Sequence, residues 1–140
     1  MPNQILEIAK GQLEAYNDRN FDRFASLVSP DFIFNEMPTG RVINGIEEFR
    51  LIWDTWTSAF PDNHGEILNS FTAGNKVVIE ISWRGTHKGL LVTPEKEFPP
   101  TGKIFSNGSA CQIVDVQDVK VTQINHYFDI LTIMTQLGLS

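Results

Sequence analysis

The chain holds a single cysteine, Cys111, in 140 residues. No internal disulfide is possible, so the fold has to rest on its core. Cys111 lies among apolar residues and reads as a buried, inert thiol. Cationic clusters are also missing: 11 Lys and Arg stand against 17 Asp and Glu, a net charge of −6. Phosphate backbones need a basic surface, so nucleic acid is excluded as a partner. No apolar run approaches the roughly 20 residues that cross a bilayer, so no membrane partner is expected. Met1-Pro2-Asn3-Gln4 lacks the basic, apolar, small-residue order of a secretory leader, and a cytoplasmic location is the expectation. His64, His87 and His126 show no metal-ligand spacing, and neither GxGxxG nor a P-loop occurs. No metal, nucleotide or other cofactor is expected.

What is present is aromatic. Ten Phe and three Trp are a large aromatic load for this length; some of it is core, and some could line a pocket for a flat apolar ligand. The length suits one domain spanning residues 1–140, large enough for a core without staples. No repeat, linker or low-complexity stretch divides it.

The early part of the chain has helical spacing. Residues 4–18 place Ile5, Ile8, Ala9, Leu13 and Tyr16 on one face. Asn20 is positioned to cap a short helix carrying Phe21, Phe24, Leu27 and Val28, stopped by Ser29-Pro30. Residues 31–37 read as a short strand, with Phe32, Phe34 and Glu36 on one side and Ile33, Asn35 and Met37 on the other. Asn44 and Glu47 have capping-box spacing ahead of a helix through Ile46, Phe49, Ile52, Trp53, Trp56 and Phe60, ended by Pro61. Long β-patterns follow at 64–72, 76–88, 103–116 and 118–129, with turns at Gly74-Asn75 and Gln117-Asp118. Residues 90–102 hold three of the prolines and read as a loop that could close over a site, and residues 131–137 as a short final helix. Helices followed by a meander of strands predict an α+β fold, with a curved antiparallel sheet packed on the N-terminal helices and a concave mouth.

Several segments together resemble one family. Gly45-Ile46-Glu47-Glu48-Phe49 and the run Trp53 to Asp62 are similar to the third helix and exit of SnoaL-like polyketide cyclases. Gly85-Thr86-His87-Lys88-Gly89 and Pro100-Thr101-Gly102-Lys103 resemble that family's strand end and following loop. Tyr127-Phe128-Asp129 and Gln136-Leu137-Gly138 resemble its C-terminal signature. The resemblance covers most of residues 41–138; Gln117-Asp118 departs from the family's usual Asp/Asn-Gly turn. It implies a cone-shaped barrel of the nuclear-transport-factor-2-like superfamily, a deep pocket and a homodimer. It also implies a pocket aspartate that serves as general acid/base in a cofactor-free intramolecular aldol ring closure.

Asp129 matches that aspartate and His87 a pocket-facing histidine. From the residues alone, Asp129 has two readings. Its apolar neighbours would desolvate it and raise its pKa into a range useful for proton transfer. Alternatively it caps the final helix. His87 shares parity with Ile79, Ile81 and Trp83; on residues alone it is a satisfied core histidine, while the resemblance places it in the pocket. Gln112 and Asn35 either offer amides to a substrate or face outward. Tyr16, Trp53, Phe60 and Trp83 are candidate pocket walls. The expected function is acid/base chemistry on a small carbonyl-rich molecule, with cyclisation the leading reaction. The alternatives are a non-catalytic binding or dimerisation domain, or a hydroxylase or dehydratase on the same scaffold. Val78, Glu80, Ser82, Arg84 and Thr86 make the outer parity of one strand and are expected to form the dimer contact.

Overall fold

Side-chain spacing separates the helices from the strands. The computed structural model describes residues 2–139, with α1 at Pro2–Asn17, α2 at Phe21–Leu27 and α3 at Gly45–Ala59. Ala9 and Leu13 on α1, and Phe49, Ile52 and Trp53 on α3, recur at three- and four-residue steps and are buried on one face of each helix. Asn20 caps α2 by accepting the Arg23 N–H at 3.0 Å. The expected box at α3 is shifted. Asn44 makes no side-chain cap, and it is Glu48 rather than Glu47 that accepts the Asn44 N–H, at 2.9 Å.

The strands are β1 (Val28–Glu36), β2 (Arg41–Asn44), β3 (His64–Ala73), β4 (Lys76–Thr86), β5 (Leu91–Val92), β6 (Glu97–Phe98), β7 (Ile104–Gln117) and β8 (Lys120–Phe128). Six form one sheet in the order β2-β1-β8-β7-β4-β3. All neighbours are antiparallel except β1 and β8, which run parallel. β1 precedes the meander and reaches β8 only through a long connection, which permits parallel pairing. The sheet is therefore antiparallel-rich and not wholly antiparallel. The 90–102 segment, expected as a loop, contains the β5–β6 hairpin. The β7–β8 turn lies one residue later than expected, on Asp118 (φ 49°) and Val119 (φ 58°). Both are left-handed, as a two-residue hairpin turn requires.

Alternation along the strands turns one face to the helices. Val77, Ile79, Ile81 and Trp83 on β4, Val114 and Val116 on β7, and Val121 and Ile124 on β8 are all buried there. α4 (Ile130–Gln136) closes the end of the sheet through Ile133. No helix among the described residues is long and apolar enough to cross a membrane.

Candidate functional site

Between α1, α3 and the inner face of the sheet lies a cavity of about 80 Å³. One water needs about 10–15 Å³ by this measure, so there is room for several. Its walls include Tyr16 from α1, Trp53 and Trp56 from α3, Phe34 from β1, Trp83 from β4, Phe105 from β7 and Phe128 from β8. The rings meet edge to face: Tyr16 is 5.0 Å from Trp53 and 5.7 Å from Trp83. Five further polar side chains, Gln12, Glu36, Asn63, Gln112 and His126, interrupt the aromatic lining.

Glu36 ends β1 on the same parity as Phe32 and Phe34, so the strand carries it inward to 1% exposure. A bare buried carboxylate would be costly, and here it is fully served. Arg41 donates from Nε at 2.7 Å, with Nη2 2.6 Å from the same oxygen. Thr39 donates its hydroxyl, and Trp56 Nε1 donates to Oε2 at 2.8 Å. Glu36 thereby fixes one indole of the wall. Gln12 Nε2 donates to Gln112 Oε1 at 2.6 Å, joining α1 to β7. Tyr16 and Asn63 are hydrogen-bonded to each other. Burial pushes the Tyr16 pKa up to about 12, opposed by the Asn63 bond and the Arg19 charge, so Tyr16 stays protonated.

His126 and Trp83 differ from these. Trp83 Nε1 and His126 Nε2 are buried and have no hydrogen-bond partner in the protein. A buried polar group left unpaired costs about 1–3 kcal/mol, so each calls for a polar partner. The ring of His126 is surrounded by Phe128 at 5.0 Å, Trp83 at 5.9 Å and Phe34 at 6.0 Å. This burial lowers its pKa to about 4, so the imidazole is neutral at neutral pH.

Of the residues singled out from the sequence, Tyr16, Trp53, Trp83 and Gln112 line the cavity. The other four do not. Asn35 points to the opposite side of β1, where it donates to Asn125 Oδ1 at 2.8 Å. Phe60 is fully buried one layer behind the wall, stacked on Trp56 and edge-on to Phe105. His87 lies beyond Phe60, its ring 5.3 Å away. The buried alternation of β4 runs on through Gly85 to the fully buried His87, but the pairing with β7 shifts after Trp83 and the strand ends at Thr86, so His87 is not among the residues lining the cavity. His87 consequently ties down the following loop: Nδ1 accepts the Thr101 N–H at 3.2 Å, and its backbone pairs with Gly102 and Lys103. Desolvation lowers its pKa, with the carbonyls of Gly89 and Phe98 opposing. Gly89 in the same motif admits no side chain, because a Cβ there would lie 2.0 Å from the Ser58 carbonyl.

Asp129 is a correction to the expected desolvated acid. Along β8, Ile124, His126 and Phe128 turn inward, and Asp129 falls on the outward parity of Asn125 and Tyr127. It is exposed and caps α4, accepting from Thr132 N–H at 3.0 Å and Thr132 hydroxyl at 2.6 Å. Those two bonds hold its pKa below the usual carboxylate range, the reverse of the expected rise. Cys111 is half-buried rather than buried, on the outer side of β7. Burial, and then the Glu80 charge, raise its pKa, which leaves the thiol unreactive.

Sequence reasoning passed over Gln12, Glu36, Trp56, Asn63 and His126. Parity carried the signal for two of them: Glu36 alternates with Phe32 and Phe34, and His126 with Ile124 and Phe128. Among the described residues no three His, Cys, Asp or Glu side chains gather as a metal site would require.

This architecture is that of the ketosteroid isomerase-like fold. A protein of that fold from Catenulispora acidiphila DSM 44928, solved in complex with trimethylamine, superposes with a TM-score of 0.78 at 19% identity over 96% of this chain and 94% of its own. The chain belongs to the SnoaL-like polyketide cyclase family, whose model matches residues 7–137. A protein from Jannaschia sp. CCS1, assigned by name to the SnoaL-like polyketide cyclases, is similar at a TM-score of 0.87 and 18% identity, over 99% and 94% of the two chains. TsrD from Streptomyces laurentii is similar at 0.83 and 21%, over 100% and 98%. At these identities the likeness establishes the fold. No curated protein matches the sequence significantly.

Proposed function

We propose that the cavity binds a small, flat, carbonyl-bearing molecule and that His126 moves a proton on it, with intramolecular aldol cyclisation the best-fitting overall reaction. One observation carries this reading: a mainly apolar, aromatic-rich slot contains two buried nitrogens, Trp83 Nε1 and His126 Nε2, that no protein group satisfies. Aromatic walls select a flat ligand, and the indole N–H can only donate, so it selects an oxygen. Aldol closure takes a proton from a carbon beside a carbonyl and returns one to the new alkoxide. His126 starts neutral and can accept the first proton. Negative charge developing on the nearby substrate oxygen then strengthens its hold on that proton. Trp83 Nε1–H and the Tyr16 hydroxyl are the available donors to that oxygen. Glu36 is a poor candidate base, because Arg41, Thr39 and Trp56 already occupy its oxygens.

A second reading, ligand binding without turnover, is favoured by one observation: the family-matched Asp129 is outside the cavity. In either case Trp53, Trp56 and Trp83, all three tryptophans of the chain, line the cavity and report its occupancy. Titration with 2-tetralone, a flat bicyclic ketone, is expected to quench their fluorescence saturably. Absence of saturable quenching would contradict both readings.

The outer face of the sheet is the proposed contact with a second copy. Phe71 on β3, Val78 on β4 and Ile113 on β7 are aligned by strand register, and Phe71 is 63% exposed. Light scattering at micromolar concentration is expected to give the dimer mass; a monomer would count against it.

A further inference from the structure

A cation, Arg19, stands behind the Tyr16 hydroxyl and connects to it through Asn63. Arg19 has donors only. Its Nη2 reaches Asn63 Oδ1 at 2.5 Å and the Asn63 carbonyl at 2.8 Å. This fixes the amide: Oδ1 belongs to the guanidinium, and Nδ2 is turned to Tyr16, donating to its hydroxyl oxygen at 2.8 Å. The return contact from the Tyr16 hydroxyl to Asn63 Oδ1 is longer, 3.1 Å, and ends on an oxygen that Arg19 already holds. The hydroxyl oxygen thus accepts from Asn63 at short range, while its proton lies on the longer 3.1 Å contact, which a substrate oxygen in the cavity that Tyr16 and Asn63 both line can replace.

Arg19 is held in place firmly. Nη1 donates to the Tyr16 carbonyl at 2.8 Å, Nη2 also reaches the Pro61 carbonyl at 3.0 Å, and the guanidinium lies 4.9 Å above the Tyr16 ring. Its backbone sits at φ 57°, a left-handed conformation that is unfavourable for any residue with a Cβ.

We infer that Arg19 is a positioning residue that acts through Asn63, aiming the Tyr16 proton at a substrate oxygen and strengthening it as a donor where negative charge develops. The polarity runs one way: the guanidinium polarises the amide, the amide N–H polarises the phenol, and the phenol O–H meets the substrate. This rests on the reading of the cavity as a site for a carbonyl ligand.

Two probes separate the inference from that reading. Nitrobenzene and 4-nitrophenolate share a ring and a nitro group and differ in one charged oxygen. The wild type is expected to bind both, the phenolate about tenfold or more tightly, since a hydrogen bond to a charged group exceeds a neutral one. The phenolate absorption band is expected to move to shorter wavelength on binding. Tyr16→Phe should abolish both the gain and the shift. Arg19→Gln should keep nitrobenzene affinity and lose most of the gain and the shift. Asn63→Leu should also lose most of the gain, read as the ratio of the two affinities within that variant, and the shift, which covers the case in which Arg19→Gln does not fold. Retention of gain and shift in either of these two variants would overturn the inference, as would a wild type that binds nitrobenzene with no gain for the phenolate. A wild type that binds neither probe would remove the cavity reading, and the inference with it.

Discussion

The rings of His126 and Trp83 stand 5.9 Å apart, and each carries a buried nitrogen with no partner in the protein. For His126 the burial has a consequence for stability. Its folded pKa is about 4 against about 6.5 when unfolded, so between those values the unfolded chain binds more protons. Stability from this group is complete above about pH 6.5 and is lost as the pH falls towards 4, by about 3 kcal/mol in all. Urea unfolding of the wild type and His126→Gln at neutral pH and near pH 4.5 checks this. The wild type should lose more stability on acidification than the variant. Equal losses would mean that His126 is not buried in this way.

Asp129 and its neighbour Phe128 face opposite sides of the sheet, and this sets the outcome of a simple substitution. Asn caps a helix as well as Asp does, so Asp129→Asn should leave the melting temperature and any turnover unchanged. Asp129→Ala should lower the melting temperature without touching ligand affinity. A collapse of turnover in Asp129→Asn with ligand binding intact would restore the aspartate as the acid/base.

Glu36 and Arg41 form a pair in which the carboxylate is at 1% exposure and the guanidinium at 19%. Removing one partner of such a pair costs about 3 kcal/mol or more, whereas exchanging both for apolar groups can be close to neutral. Glu36→Leu should therefore destabilise strongly in urea unfolding, and the double variant Glu36→Leu/Arg41→Met should recover much of the loss. Additive losses would show that the two side chains do not act as a pair.

Val119 stands in the β7–β8 turn at φ 58°, where a β-branched residue is strained. The left-handed region costs a residue with a Cβ roughly 1–2 kcal/mol, while glycine loses roughly 0.5–1 kcal/mol of extra chain entropy on folding. The first effect exceeds the second, so Val119→Gly should raise stability by up to about 1.5 kcal/mol. A lower urea midpoint for the variant would contradict the strained geometry.

Much of the fold was legible because its elements are long and strongly periodic. β4 alternates without interruption from Val77 to Trp83, and α3 keeps its apolar face to Ala59. The same periodicity put Tyr16, Trp53 and Trp83 on inward faces, while Gln112 was open between inward and outward readings and is turned inward. It misled at the ends of elements. His87 lies past the point where the β4–β7 register shifts, so its parity with Trp83 no longer placed it beside the cavity. Asp129 is the first residue after β8, where apolar sequence neighbours say little about solvent because the chain is turning into α4. Glu36 shared the parity of Phe32 and Phe34, but its partners Arg41 and Trp56, five and twenty residues away, were not legible because their convergence is a tertiary fact.

Proton transfer by His126 can be tested without knowing the natural substrate. The measurement is exchange of the carbon-bound hydrogens beside the carbonyl of 2-tetralone in deuterated buffer, followed by proton NMR with wild-type protein, with His126→Gln and with buffer alone. Wild-type protein is expected to accelerate exchange well above buffer, and His126→Gln to lose about a hundredfold or more of that acceleration while still binding the ketone. Exchange at the same accelerated rate in both proteins, or no acceleration by a wild type that binds the ketone, would contradict the assignment.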